Sequence, residues 1–241
     1  MCKLNEDRQH TYFKLKLKTM KKIALLAAGF LIGSAAFAQT SSVSPVKWGL
    51  KAGVSLPKYH FTDTDGDDLE SEANTNFHVT GYADIPVSNG FSFQPGISLQ
   101  GKGGKQTYNA LNGEVKDNSL YIEIPVNLVG KLPLGATGTN LYLGAGPYAA
   151  FAVSGERKVS GNLGEAFAEG TRDLSYGDDA SENDLKRGDF GVNFIGGIQL
   201  NSGFNVGAGY GLGLSDLRPG GEGGNGKVTN RVLSFSVGYS F

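Results

Sequence analysis

A chain of 241 residues carries 22 basic and 23 acidic side chains, a net charge of −1, with 37 glycines and one cysteine. That balance supplies no cationic surface for nucleic acid, and a lone thiol excludes a disulfide framework. Beyond residue 40 no apolar run approaches the roughly 18 residues of a membrane-spanning helix, and the length suits one all-β domain.

The first recognisable element begins at Met20. Lys21 and Lys22 precede an apolar run from Ile23 to about Ile32, and Ala36-Phe37-Ala38 closes it. A positive start, a short apolar core and an A-x-A site predict a signal peptide over 20–38, cut to leave Gln39 first. A membrane anchor would need a longer run. Residues 1–19 read as a non-native upstream extension, and 39–241 as the mature domain. Cys2 falls in the extension, so the domain has no thiol, and no cysteine follows the cut to accept a lipid. Seven basic and two acidic residues lie before residue 39, which leaves 15 against 21 and a net charge of −6.

Eight segments then alternate with a period of two, the spacing of a strand with unlike faces. The first, about 47–56, sets Trp48, Leu50, Ala52, Val54 and Leu56 against Gly49, Lys51, Gly53 and Ser55. The second, 76–86, sets Phe77, Val79 and Ile85 against His78, Thr80, Tyr82 and Asp84. The third, 90–102, sets Phe91, Phe93, Ile97 and Leu99 against Ser92, Gln94, Ser98 and Gln100. The fourth, 119–131, sets Leu120, Ile122, Ile124, Val126 and Leu128 against Tyr121, Glu123 and Asn127. The fifth, 140–154, the sixth, 189–200, and the seventh, 203–215, repeat the pattern, with Tyr142 and Tyr148 among the polar positions of the fifth. The eighth, "RVLSFSVGYSF", places Leu233, Phe235, Val237, Tyr239 and Phe241 on one face and serines and Gly238 on the other.

The apolar faces run nine to eleven residues nearly free of charge, the length of a tilted strand crossing a bilayer. The opposite faces hold glycine, serine, amides, tyrosine and the scattered charges Lys51, Asp84 and Glu123. A narrow barrel interior needs that mixture of small and large polar residues. Connections after the second, fourth and sixth segments are short, whereas those over 57–75, 103–118, 155–188 and 216–229 are long. Short turns at one end and long loops at the other predict an all-β, eight-stranded antiparallel up-and-down transmembrane β-barrel in a bacterial outer membrane. The last strand must pair with the first, because lipid leaves no hydrogen-bond partner for an open edge.

The stretches "KWGLKAGVSLP", "SLYIEIPVNLVGKLP", "NLYLGAGPYAAFAVSG" and "FGVNFIGGIQL" followed by "VGAGYGLGLSDL" resemble the PorT-like outer-membrane β-barrel family over roughly 46–241. The resemblance implies an eight-stranded outer-membrane barrel. It implies little about activity; one namesake takes part in secretion, and no functional residue is carried over.

Candidate sites are sparse. "DTDGDDLESE" places Asp63, Asp65, Asp67, Asp68, Glu70 and Glu72 in a loop, but Gly66 comes too early and Asn74 stands where a calcium loop needs glutamate. A solvated acidic loop is the better reading. "RDLSYGDDASENDLKRGD" reads as a mobile extracellular segment. Lys51, Asp84 and Glu123 are expected to meet in the lumen as a neutralising cluster. His60 and His78 are the only histidines of the mature chain, and no motif pairs either with a nucleophile. The expectation is a non-enzymatic outer-membrane barrel with a structural, adhesive or export-partner role, no cofactor and no catalytic or metal residues. Its expected partners are outer-membrane lipid and lipopolysaccharide, the assembly machinery through the C-terminal strand, and a protein at the extracellular loops; nucleic acid is not among them. Two alternatives stand beside it: an outer-membrane hydrolase or acyl-transfer enzyme using His60 or His78, and a soluble lipocalin-like barrel with an apolar ligand inside.

Overall fold

The structure, a computed structural model, describes residues 45–62, 68–109, 112–161, 169–220 and 226–241. The expected upstream extension over 1–19, the expected signal peptide over 20–38, and Asp63, Asp65 and Asp67 lie outside the described residues. The barrel occupies the unit Val46–Phe241.

The described residues form ten strands: β1 (Lys47–Thr62), β2 (Asp68–Glu70), β3 (Asn76–Ser88), β4 (Phe91–Tyr108), β5 (Gly113–Pro133), β6 (Asn140–Ser160), β7 (Gly170–Asp173), β8 (Gly188–Gln199), β9 (Phe204–Gly213) and β10 (Lys227–Ser240). Eight of them close a ring in the order β1-β3-β4-β5-β6-β8-β9-β10, and β10 returns to β1. Every neighbour is antiparallel. The closing seam runs from Gly49 opposite Ser240 to Thr62 opposite Lys227, so no edge is left inside the apolar band. The short β2 and β7 pair outside the ring, with β1 and β6.

Side-chain alternation follows the sequence pattern. Leu50, Val54, Phe77, Leu128, Leu143, Phe194, Phe235 and Val237 are exposed on the outside, while Ser55, His78, Asp84, Tyr121, Glu123 and Asn127 are buried inside. An apolar exterior around a charged interior is the reverse of a soluble lipocalin-like barrel, and that alternative is overturned. At the short-turn end Trp48, Phe91, Phe93, Phe204, Tyr239 and Phe241 project outward, the aromatic girdle of a bilayer interface. The turn after β8 ends on Gly203 at φ 94°, where a Cβ would lie 2.2 Å from the Ser240 carbonyl oxygen; only glycine makes that corner.

The strands run further than the apolar faces predict. β4 and β5 stay paired to Tyr108 opposite Gly113, and β5 and β6 to Glu114 opposite Ser160. The expected loop over 103–118 is therefore a hairpin projecting beyond the barrel. The ladder needs only paired backbone; apolarity marks where lipid stops, not where the strand stops. A register shift between Leu120 and Tyr121 sits where the barrel wall gives way to this projecting sheet, as bulges do at barrel rims.

Candidate functional site: the lumen

Midway along the lumen, β4 points Lys102 inward. Its ammonium lies 2.8 Å from Glu123 Oε2 on β5 and 2.9 Å from Asp189 Oδ2 on β8, over the ring of Tyr148 on β6 at 4.1 Å. Asp189 has no accessible surface. Its Oδ2 also accepts from Asn230 Nδ2 at 2.9 Å and Tyr148 Oη at 3.3 Å, and its Oδ1 from Ser215 Oγ at 2.9 Å. Asn193 Nδ2 donates to Glu123 Oε1 at 3.0 Å. One cation thus faces two carboxylates, each held by further donors, as a buried charge requires. The network ties five strands across the barrel.

Toward the long-loop end the lumen is filled. The segment after β7 turns into the mouth and buries Leu174 and Leu185; Leu217, after β9, has no accessible surface. These three pack with Tyr59, against Phe61, Tyr176 and Val228. Each buried leucine contributes on the order of 1.5–3 kcal/mol. Arg157 on β6 donates both arms to Asp117 on β5 at 2.7 Å and reaches Asp184 of the inserted segment at 3.5 Å. Asp117, by this pair, holds the guanidinium above its ordinary range. Arg172 grips Asp184 as well and holds its carboxyl well below the usual carboxylate range. Tyr176 Oη donates to Ser119 Oγ at 2.7 Å, and its phenol is pushed up by burial.

Toward the short-turn end the lumen is polar and incompletely filled. A cavity of about 60 Å³ is lined by Lys51, His78, Ser98, Asn127, Tyr142 and Ser236 among others. The buried Asn127 Oδ1 has no protein partner there, and a polar cavity of this size holds water. Lys51 and Tyr142 also line a second cavity of about 20 Å³ with Tyr82, Gln94, Lys131 and Asn205. At the rim, Asp84 pairs with Lys131 and accepts from Gln94 Nε2 at 3.1 Å. The large rings sit opposite glycine: a Cβ on Gly207 would lie 2.1 Å from Tyr142 Oη, and one on Gly191 2.6 Å from the Tyr148 ring.

The expected single cluster of Lys51, Asp84 and Glu123 is two clusters. Glu123 belongs to Lys102 and Asp189, Asp84 to Lys131, and Lys51 faces the Tyr82 ring at 5.9 Å. Asp84 lies near the end of β3 and Glu123 in the middle of β5, too far apart in height to share one cation. Lys102 and Asp189 carry no motif that marks them, although both continue the inward parity, two residues beyond Gln100 and two before Gly191. The segment 172–189, expected to be mobile outside the barrel, is folded into its mouth because Leu174 and Leu185 have an apolar seat there.

His78 Nδ1 lies 3.1 Å from Ser55 Oγ, which also accepts from Gln100 Nε2 at 2.9 Å. Ser55 has no accessible surface, so no substrate carbonyl reaches it in this conformation. His60 lies outside the lumen, 3.7 Å from Glu70. Of the acidic loop, Glu70 pairs with Lys58 and Glu72 with Lys105. Among the described residues no three carboxylate, imidazole or thiol groups converge as metal ligands.

The family model described as an outer membrane protein beta-barrel domain matches residues 37–218. No curated protein matches the sequence. Among solved structures, the chain is similar to Neisserial surface protein A (11% identity, 82% of this chain, 100% of that chain, TM-score 0.44). It is similar also to Ail, the attachment invasion locus protein of Yersinia pestis, in complex with the heparin analogue sucrose octasulfate (14%, 82%, 100%, TM-score 0.40). A third likeness is to the outer membrane protease OmpT of Escherichia coli (12%, 85%, 100%, TM-score 0.38).

Proposed function

The chain belongs to the outer membrane protein β-barrel domain family, and from that membership we propose a non-enzymatic barrel of the PorT-like kind that presents its projecting sheet and loops to partners outside the cell. It is an outer-membrane protein. With short turns facing the periplasm, the long-loop end is extracellular. The observation that carries the reading is the lumen: plugged by Leu174, Leu185 and Leu217, and braced by Lys102, Glu123 and Asp189. A barrel closed in this way passes no large solute, and the Ser55–His78 contact is buried away from substrate. What remains for function is the surface. The proposal includes the leader over 20–38, a mature domain from Gln39, and recognition of the last strand by the assembly machinery.

Two measurements test it. In planar bilayers the protein gives no long-lived, porin-sized openings, whereas replacing Leu174, Leu185 and Leu217 together with serine produces small, flickering ones. Long-lived openings in the unaltered protein would overturn the closed-lumen reading. In pull-downs from intact outer membranes, deleting the projecting part of the hairpin, 103–118, abolishes partner capture while the barrel still migrates as a folded band. Capture that survives the deletion removes the function from this sheet.

A further inference from the structure

We propose that the outer face of β4, β5 and β6, above the apolar band, binds the phosphate of a phosphorylated saccharide lipid in the outer leaflet. On this face Lys105 stands directly opposite Lys116, and Lys116 directly opposite Lys158. Three like charges in one cross-strand row destabilise a sheet unless an anion lies across them. Lys105 is offset by Glu72 at 2.7 Å and Glu114 at 3.6 Å. Among the described residues, neither Lys116 nor Lys158 forms an ion pair.

The row sits where a lipid headgroup would reach it. Lys116 lies four residues beyond Leu120, the last apolar outward side chain of β5. That is about 13 Å along the strand and about 10 Å in height at a tilt near 40°. Between row and band is a groove of about 330 Å³ lined by Asn76, Phe77, Asn118, Leu120, Ser154 and Glu156 among others. Gly101 on β4 makes room for the Asn76 side chain at the groove's edge, since a Cβ on Gly101 would lie 2.0 Å from Asn76 Oδ1. Phe77 and Leu120 continue the lipid-facing surface, while the amides, Ser154, Glu156 and Asp173 accept from and donate to hydroxyl groups. Carboxylates beside the groove repel a bare phosphate but accept from a sugar. The combination fits a sugar phosphate tethered to acyl chains better than a simple phospholipid. At the opposite seam Lys58 and Arg231 face each other just above Leu56 and Leu233, but Glu70 pairs with Lys58 there, so the uncompensated charge is on the β5 and β6 side.

The proposal rests on the extracellular placement of the long-loop end, which has its own test. Thr107→Cys in the otherwise cysteine-free mature chain should be labelled by an impermeant maleimide on intact cells; absence of labelling overturns the outer-leaflet assignment. The site is tested separately by native mass spectrometry of the purified, heat-modifiable barrel. It is titrated with bisphosphorylated lipid A, with dephosphorylated lipid A, and with inorganic phosphate as competitor. The bisphosphorylated form binds roughly tenfold or more tightly than the dephosphorylated form. Lys116→Gln with Lys158→Gln abolishes that preference, and Lys47→Gln at the other end of the barrel leaves it intact. Equal binding of the two lipids, or an unchanged preference in the double variant, overturns the proposal. Competition by inorganic phosphate at concentrations comparable to the lipid assigns the row to the free ion and overturns it equally.

Discussion

The two halves of the lumen are filled by different means. In the short-turn half every group comes from a strand: Lys51, His78, Thr80, Asn127, Tyr142 and Ser236 project from the wall and leave cavities of about 60 and 20 Å³ between them. In the long-loop half chain segments enter the mouth, and Leu174, Leu185 and Leu217 complete an apolar core. A strand offers one inward side chain every two residues, about 6.8 Å apart, so a wall alone packs a cylinder poorly. An inserted segment follows the gaps and reaches the density of a protein interior. Closure of this barrel is therefore a property of its loops, and hydration a property of its wall.

The largest effect is expected at the boundary between the halves. Lys102→Ala leaves Glu123 and Asp189, both buried, without their shared cation, and breaking such a buried set by removing one partner costs roughly 3–5 kcal/mol. The same truncation nearer the rim, Lys131→Ala, also strips a buried carboxylate of its cation, but Lys131 is itself partly exposed and Gln94 still donates to Asp84, so the loss is smaller than at Lys102. Urea unfolding in lipid vesicles, followed by the heat-modifiable band, measures both. Equal losses would mean that the central site is as wet as the rim.

A second pair of substitutions, one residue apart, tests the hydrated half against the lipid. Val237 is exposed at mid-height on β10, and Ser236 lines the larger cavity. Val237→Arg costs roughly 2–4 kcal/mol at the bilayer midplane. Ser236→Arg enters a space that holds water and lies toward Glu123, so its folded fraction in vesicles stays well above that of Val237→Arg. If the order reverses, the polar face is not the hydrated one.

The wall of the barrel was legible in the sequence because period-two alternation encodes which side meets lipid, and Leu233 to Phe241 displays it without interruption. The inward placement of Tyr82, Tyr121, Tyr142 and Tyr148 follows from the same parity. Partnership inside the lumen was not legible. Lys102, Glu123 and Asp189 are remote in sequence; Glu123 and Asp189 both stand opposite Ala150 of β6, and Lys102 reaches them from four residues further along the β4–β5 ladder, opposite Ser119. The plug was hidden for a different reason. Leu174 and Leu185 are two apolar residues in a strongly acidic stretch, and composition reads that stretch as solvated. Its acids are spent locally, Asp184 on Arg172 and Asp179 on Ser181, which frees the leucines to turn inward. The lysine row is likewise a register effect, since Lys105, Lys116 and Lys158 share no sequence motif.

The smallest effect concerns pH and separates the plug from the wall. Asp184 is held well below the ordinary carboxylate range, first by its hydrogen bonds from Arg172 and then by the Ser175 backbone N–H, which donates at 3.0 Å. A carboxyl depressed on folding contributes stability that is fully present above its unfolded pKa of about 3.9. That contribution is lost as pH falls through the lower, folded value. The plug is therefore expected to stay anchored from neutral pH down to about 4 and to loosen only in stronger acid. Hydrogen exchange at the Leu174 and Ser175 amides, corrected for the intrinsic rate, reads this directly, because Leu174 N–H donates to the Gly155 carbonyl at 2.9 Å and reports plug seating. Protection should be flat from about pH 7 to 4.5 and fall below about 4, while the amides of β10 from Leu233 to Tyr239, which lie away from the plug carboxylates, hold. Asp184→Asn keeps the shape but forfeits the charge, so its plug should exchange faster at neutral pH and show no further acid step at this site. Loss of protection between about pH 7 and 5 in the unaltered protein would remove Asp184 from the role of anchor.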